Sequence, residues 1–265
     1  MARIAVAATA PFGADVLGAL TKRHEIAYVL TRPDQPKGRG RRVAPPPAKE
    51  AAERLGVEVR QPERIEDDFD PGVDAVIVVA YGLLIPEAAL ERALWLNVHP
   101  SLLPRWRGAA PVERALMAGD EETGVTVHRT VKELDAGPVS GLARFAIGVD
   151  DTAGDVFARA AELAVGLVDE ALETDPATYE PQGEGATYAE KITPADRELD
   201  WSRPPQELHD RIRALSPHIG ARGDLDGHPV LVWRSRLDDG QLELLEVQPE
   251  GKRRMSYDEY LRGRR

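Results

Sequence analysis

The chain has 265 residues, 42% of them hydrophobic, enough for one large domain or two smaller ones with a sizeable core. It contains no cysteine, which excludes disulfides, thiolate metal sites and cysteine nucleophiles and leaves the cytoplasm as the expected compartment. No run approaches the ~18–20 apolar residues of a membrane span, and a net charge of −11 argues on average against a polyanionic partner.

In chain order, residues 4–8 read as a short apolar strand and 12–22 as a helix with Val16, Leu17 and Leu20 at helical spacing. Residues 25–31 form a second strand, followed by a Pro/Gly/Arg-rich loop, a helix at 47–55 and a short strand at 57–61. The clearest strand is 73–80, β-branched and apolar on both faces, as in a buried parallel strand. A helix at 86–92 leads into the apolar run Ala93-Leu94-Trp95-Leu96. This alternation predicts a doubly wound, mostly parallel sheet with right-handed crossovers and ligands at the carboxyl ends of the strands. Strands follow at 124–130 and 139–147, then an amphipathic helix at 155–172.

Composition then shifts. Residues 174–185 are rich in Pro, Gly, Glu and Thr and read as a linker, so a first domain spans 1–185 and a smaller β-rich one spans 186–265. The second carries a helix at 204–215 and strands at 230–233 and 242–247, joined near the turn signal Asp238-Asp239-Gly240. The first turn, Ala8-Thr9-Ala10-Pro11-Phe12-Gly13, lacks the three-glycine spacing of dinucleotide binders. The six histidines are scattered, with His24, His128, His209, His218 and His228 lacking partners at ligand spacing, so no metal is expected.

Chemistry concentrates after the 93–96 run, in Asn97-Val98-His99-Pro100-Ser101-Leu102-Leu103-Pro104. Period two places Asn97 and His99 on one face of a strand, and the prolines stiffen the loop beyond. An amide donor and an imidazole together can polarise a carbonyl and stabilise the oxyanion formed on nucleophilic attack. The best carboxylate to join them is Asp135, in the turn Glu133-Leu134-Asp135-Ala136-Gly137-Pro138. No Ser or Cys sits in a nucleophile-elbow context, which favours direct transfer over a covalent enzyme intermediate. Taken singly, His99 also fits a packed core histidine and Asp135 a turn former. Charge is unevenly spread. Between 32 and 49 six bases face one acid, a local +5, and between 251 and 265 six bases face two acids, a local +4. Two basic islands on an acidic body fit a polyanion held at chosen places, and equally two solvated segments.

The stretch from Asn97 to Pro104, continuing as Arg105-Trp106-Arg107-Gly108-Ala109-Ala110-Pro111, resembles the signature of methionyl-tRNA formyltransferases. The likeness runs nearly end to end. It takes in Arg32-Pro33-Asp34-Gln35-Pro36-Lys37-Gly38-Arg39-Gly40, Val79-Ala80-Tyr81-Gly82, Gly119-Asp120 with Glu122-Thr123-Gly124-Val125-Thr126, and Leu134-Asp135-Ala136-Gly137. In the second domain it includes Tyr188-Ala189-Glu190-Lys191-Ile192, Asp200-Trp201-Ser202, Ile212-Arg213-Ala214 and Gln248-Pro249-Glu250-Gly251-Lys252.

The resemblance implies a Rossmann-like formyltransferase fold and formyl transfer from 10-formyltetrahydrofolate, a folate co-substrate, to the amino group of methionine on initiator Met-tRNA. By the same likeness Asn97, His99 and Asp135 are the catalytic trio. Asn97 and His99 would face the formyl oxygen, and Asp135 would pair with His99 and help move the amine proton through water. Ser101, Leu102, Leu103 and Pro104 would line the folate site largely through backbone groups, beside Tyr81 and Gly82. The basic loop would enter the acceptor stem, Arg39 making the key contact and Lys37, Arg41 and Arg42 meeting phosphates. A monomer with no membrane partner is expected. Two rivals share motifs: a related formyltransferase or formyl-folate hydrolase acting on a small molecule, and a non-catalytic RNA-binding relative.

Two departures stand out. The family's second domain is a small β-barrel, but here the strand from 230 passes through Asp238-Asp239-Gly240 directly into 242–247, where the family carries further strands. A barrel missing strands exposes its edges, so a reduced, open β-element is predicted. The family's Gly-Thr-Pro first turn is Ala8-Thr9-Ala10-Pro11 here.

Overall fold

A computed structural model describes residues 2–37 and 42–263. The chain divides into two compact units: Met1–Arg107 with Gly124–Arg144 and Ala158–Thr187, and Gly108–Thr123 with Phe145–Phe157 and Tyr188–Arg265.

The first unit opens with β1 (Arg3–Ala8), whose last five residues are wholly buried. Helix α1 (Pro11–Leu20) starts on a proline, which presets φ at a position whose N–H needs no intrahelical partner. It buries Phe12, Val16, Leu17 and Leu20. A Cβ on Gly13 would lie 2.6 Å from the Ala8 Cβ and 2.8 Å from the Val79 carbonyl oxygen, so only glycine lets α1 pack this closely. Strand β2 (Glu25–Leu30) follows, then β3 (Gln35–Lys37) and β4 (Arg42–Ala44), an antiparallel pair within the basic loop. Helix α2 (Pro47–Leu55) ends on Gly56 at φ +70°, a left-handed cap. Next come β5 (Val59–Arg60), the fully buried β6 (Ala75–Val79), the single turn α3 (Glu87–Leu90) and β7 (Leu94–His99).

Beyond lie β8 (Arg107–Gly108), α4 (Pro111–Met117), β9 (Glu122–Arg129), β10 (Val139–Ala146) and the 21-residue α5 (Ala153–Glu173). The seven-stranded sheet has the order β10-β9-β7-β6-β1-β2-β5. The run from β5 through β2, β1 and β6 to β7 is parallel, and β9 joins β7 antiparallel. This is the mostly parallel sheet that the alternating pattern predicts. The parallel strands therefore deliver the segments after Ala8, Leu30, Val79 and His99 to one edge, where ligands bind in such sheets. One side is filled by Ala5, Ala7, Tyr28, Leu30, Val76, Val78, Leu90 and Trp95.

In the second unit β11 (Tyr188–Ala189) precedes α6 (Pro205–Ala214), which lies against a four-stranded sheet. The strands are β12 (Ala221–Leu225), β13 (His228–Asp238), β14 (Gln241–Pro249) and β15 (Met255–Ser256), antiparallel in sequential order, and α7 (Tyr257–Arg262) follows. Both long hairpin turns place two successive residues at positive φ: Asp226 and Gly227 at +54° and +81°, Asp239 and Gly240 at +46° and +74°. That is the backbone of a primed hairpin turn, matched to strand twist. Leu208, Ile212, Leu215, Val230, Val232 and Val247 form the core. The sheet is a linear four-stranded one that does not close on itself, with β12 and β15 at its edges. Strand β12 and helix α7 were not apparent from the residue pattern.

Candidate active site

Strand β7 projects Asn97 and His99 to the same face, and the turn after β9 brings Asp135 to both. Asn97 Nδ2 donates to Asp135 Oδ1 at 2.8 Å and lies 3.2 Å from His128 Nε2. His99 Nδ1 stands 3.6 Å from Asp135 Oδ2, while its Nε2 is 2.8 Å from the Trp106 carbonyl oxygen. A carbonyl only accepts, so Nε2 carries the hydrogen and Nδ1 is the nitrogen that faces the carboxylate. His99 is 4% exposed. Burial pushes its pKa down; the Asp135 carboxylate and the Trp106 hydrogen bond oppose this, His128 adds to it, and the net direction is below the ordinary value.

Asp135 sits at φ +49°, a left-handed conformation that aspartate tolerates better than most residues. Its turn is pinned from a distance. Gln182 Nε2 donates to the carbonyls of Asp135 and Gly137 at 2.8 and 2.9 Å, and Gln182 Oε1 accepts from Arg107 Nε and Nη2 at 3.0 and 2.8 Å. Arg107 is nearly buried and also lies 3.6 Å from Glu133. A Cβ on Gly137 would collide with the Arg129 carbonyl, so the turn closes only with glycine there. Residues 174–185, read as a linker, are thus stitched into the first unit: Val139 and Glu180 exchange backbone hydrogen bonds, and Thr187 bonds Pro104, Trp106 and Arg107.

The loop expected to hold folate is held by Thr126. Its Oγ1 donates to the Ser101 carbonyl at 2.7 Å and accepts from Leu103 N at 3.3 Å. Ser101 is fully buried and gives its own hydroxyl to the Arg105 carbonyl at 2.7 Å. Leu102 is half-buried, Leu103 is buried, and the Pro104 carbonyl accepts from Thr187 N at 3.2 Å. Tyr81 turns its ring into the core and offers its carbonyl to Thr9 Oγ1 at 2.6 Å. Burial raises its phenol pKa. Gly82, at φ +78°, lies 3.7 Å from the Arg32 side chain when a Cβ is placed on it.

At the base of the basic loop Lys49 Nζ bonds both Asp34 oxygens and Gln61 Oε1 at 2.9 Å, and Gln61 Nε2 returns to Asp34 Oδ1 at 2.7 Å. Lys49 is therefore spent on anchoring the loop. Lys37 and Arg42 lie on the facing strands of the β3–β4 hairpin, and Arg39 and Arg41 fall outside the described residues. In the second basic island Arg253 bonds Glu259, and Arg254 stacks 3.3 Å over the Trp233 ring and donates to the Pro217 carbonyl. Arg264 and Arg265 fall outside the described residues. Among the described residues no group of three His, Asp or Glu is gathered as a metal site.

Sequence reasoning missed His128, Thr126, Arg107 and Gln182. A signal existed for the first two: they alternate along β9 as Asn97 and His99 do along β7. None existed for Gln182, whose partners are 45 to 75 positions away.

A carboxylate, an imidazole and an amide thus meet at the carboxyl edge of a mostly parallel sheet, a set of groups able to polarise a carbonyl and to accept a proton. Residues 2–172 match the family described as formyl transferase, and residues 191–241 match the formyl transferase C-terminal domain. Methionyl-tRNA formyltransferase of Paracoccus denitrificans is 43% identical over 98% of this chain and 97% of its own. The chain belongs to the methionyl-tRNA formyltransferase family. Its fold resembles a methionyl-tRNA formyltransferase from Clostridium thermocellum at TM-score 0.67 and 14% identity, covering 94% of this chain and 99% of that one. It also resembles HypX from Aquifex aeolicus in complex with tetrahydrofolic acid, at TM-score 0.68 and 20% identity, over 98% of this chain and 47% of HypX.

Proposed function

We propose that the chain moves a formyl group from 10-formyltetrahydrofolate to the α-amino group of methionine on initiator Met-tRNA, for translation initiation, with Asn97, His99 and Asp135 as the reacting trio. The observation that carries this is the closure of the three side chains on one another at the sheet's carboxyl edge. The methionyl nitrogen attacks the formyl carbon, a C–N bond forms, and negative charge develops on the formyl oxygen. Asn97 and the His99 Nε2–H, held by Asp135 and the Trp106 carbonyl in the resting site, supply the donors for that oxygen. The attacking group is the neutral amine, and Asp135, with His99 Nδ1 beside it, takes the proton from the ammonium nitrogen that the attack creates. The C–N10 bond then breaks, and the proton passes to N10 of the leaving tetrahydrofolate.

In the same reading Ser101 to Pro104, with the backbone of Tyr81 and Gly82, hold the folate. Lys37, Arg39, Arg41 and Arg42 meet the acceptor stem, a role that the net positive charge of that loop supports. Residues 1–185 do the chemistry, and residues 186–265 add a reduced tRNA-contacting surface. The enzyme works as a cytoplasmic monomer without a metal. Among the described residues no helix is long and apolar enough to cross a membrane.

The test is formate-label transfer by purified protein to Met-tRNA, with His99→Ala as the paired variant. Labelled formyl-Met-tRNA from the wild type and a large loss in His99→Ala are expected. Transfer to a small amine but never to initiator Met-tRNA would overturn the substrate, and near-normal turnover by the variant would overturn the trio.

A further inference from the structure

Strand β9 faces β7 with His128 opposite Asn97 and Thr126 opposite His99. Directly opposed residues share a sheet face, so His128 belongs to the same cluster as the trio. It is 1% exposed, and its ring stands edge-on to His99 with centroids 6.4 Å apart. Its Nδ1 lies 3.0 Å from the Arg129 carbonyl and so carries the hydrogen, which leaves Nε2 as an acceptor. Nε2 is 3.2 Å from Asn97 Nδ2 and 3.7 Å from Asp135 Oδ1.

A side-chain amide has two orientations related by exchange of its oxygen and nitrogen. With the nitrogen inward, Asn97 satisfies both Asp135 and His128 and presents an N–H edge to a developing oxyanion. Flipped, its oxygen would meet a carboxylate, a bare imidazole nitrogen and that oxyanion. While Asp135 is ionised, the carboxylate alone favours the first orientation. Once Asp135 takes the amine proton, its O–H can equally donate to an inward oxygen, and that preference disappears. The His128 nitrogen is then the acceptor that still rejects the flipped amide.

We propose that His128 is a positioning residue that locks the Asn97 amide with its nitrogen toward the reacting centre throughout the proton transfer. The inference rests on the trio's proposed role. His128→Asn keeps a donor where Nδ1 stands but removes the Nε2 acceptor; His128→Gln places an amide oxygen near the Nε2 position. His128→Asn should lower kcat about 10²-fold, the scale of a small misplacement of a reacting group, with KM for both substrates and the thermal midpoint unchanged. His128→Gln should recover most of the loss. In an Asn97→Ala background, His128→Asn should cost nothing further, because its effect runs through Asn97.

Wild-type kcat in His128→Asn, an equal loss in His128→Gln, or additive losses in the double variant would overturn the proposal. Should His128→Asn fail to fold, His128→Leu, which fills the space without an acceptor, takes its place in the same comparison. Absence of formyl transfer by the wild-type protein would instead overturn the parent reading, so the two failures are distinguishable.

Discussion

Gln182 donates its side-chain amide to the main-chain carbonyl of Asp135 at 2.8 Å, across 47 positions of sequence. The same side chain accepts twice from the nearly buried Arg107 guanidinium. Gln182→Leu removes both functions and leaves a buried charge short of an acceptor, a cost of about 1–3 kcal/mol that lowers the urea midpoint. Gln182→Glu keeps the acceptor for Arg107 and loses the two donations to the turn. Turnover should fall in both variants, while the midpoint falls mainly in Gln182→Leu. Unchanged turnover in both would show that the turn holds Asp135 without help.

His99 should titrate below its ordinary value of about 6.5, because burial outweighs the Asp135 carboxylate. Asp135→Asn removes the largest opposing influence and should move the imidazole lower still, as NMR titration of the ring would show. The sign for stability follows. A histidine depressed in the folded state binds its proton better when unfolded, so stability is full above about pH 6.5 and falls as the pH drops toward the folded value. Denaturant midpoints at several pH values, compared with His99→Gln, isolate this contribution. A wild-type ring midpoint at or above the ordinary value would contradict the burial argument.

Thr126 pins the Ser101–Leu103 backbone through one hydroxyl that both donates and accepts. Thr126→Val keeps the shape and strands a buried carbonyl and a buried N–H. Stability should drop by about 1–3 kcal/mol, and the folate KM should rise more than the tRNA KM. Serine at the same position should restore both. A rise confined to the tRNA KM would place this loop elsewhere in the reaction.

The basic loop predicts a salt signature. Substituting Arg39, Arg41 and Arg42 by alanine should weaken tRNA binding and flatten its dependence on salt, by about one unit of slope for each phosphate no longer neutralised. Filter-binding titrations at several salt concentrations measure it. Because Lys49 is committed to Asp34 and Gln61, Lys49→Ala should act differently, loosening the base of the loop while changing the slope little. An unchanged slope in the triple variant would remove this loop from the RNA interface.

Much of the fold was legible. The apolar run at 75–79 reads as a buried parallel strand because every one of its residues is apolar, and all five are buried. The Asp239-Gly240 turn reads as a hairpin because two successive positive-φ positions suit those residues. Less was visible where local preference is weak. Strand β12 contains Arg222, Gly223 and Asp224, poor strand formers that pair because β13 offers a ladder. Residues 174–185 look like a linker by composition, yet Gln182 and Glu180 bind them to the first unit, since hydrogen bonds to distant carbonyls leave no mark on composition.

The sequence by itself determined that Asn97 and His99 share a face, because alternation along a strand is a local property of the backbone. It also determined the strong likeness to the formyltransferases and the place of the basic loop. Tertiary structure decided what surrounds that pair. Asp135 and His128 arrive from 38 and 31 positions away, and the Trp106 carbonyl assigns the His99 tautomer. Those contacts arise from the register of β7 against β9 and from a turn pinned by Gln182. Both are long-range geometry, which local pattern does not encode.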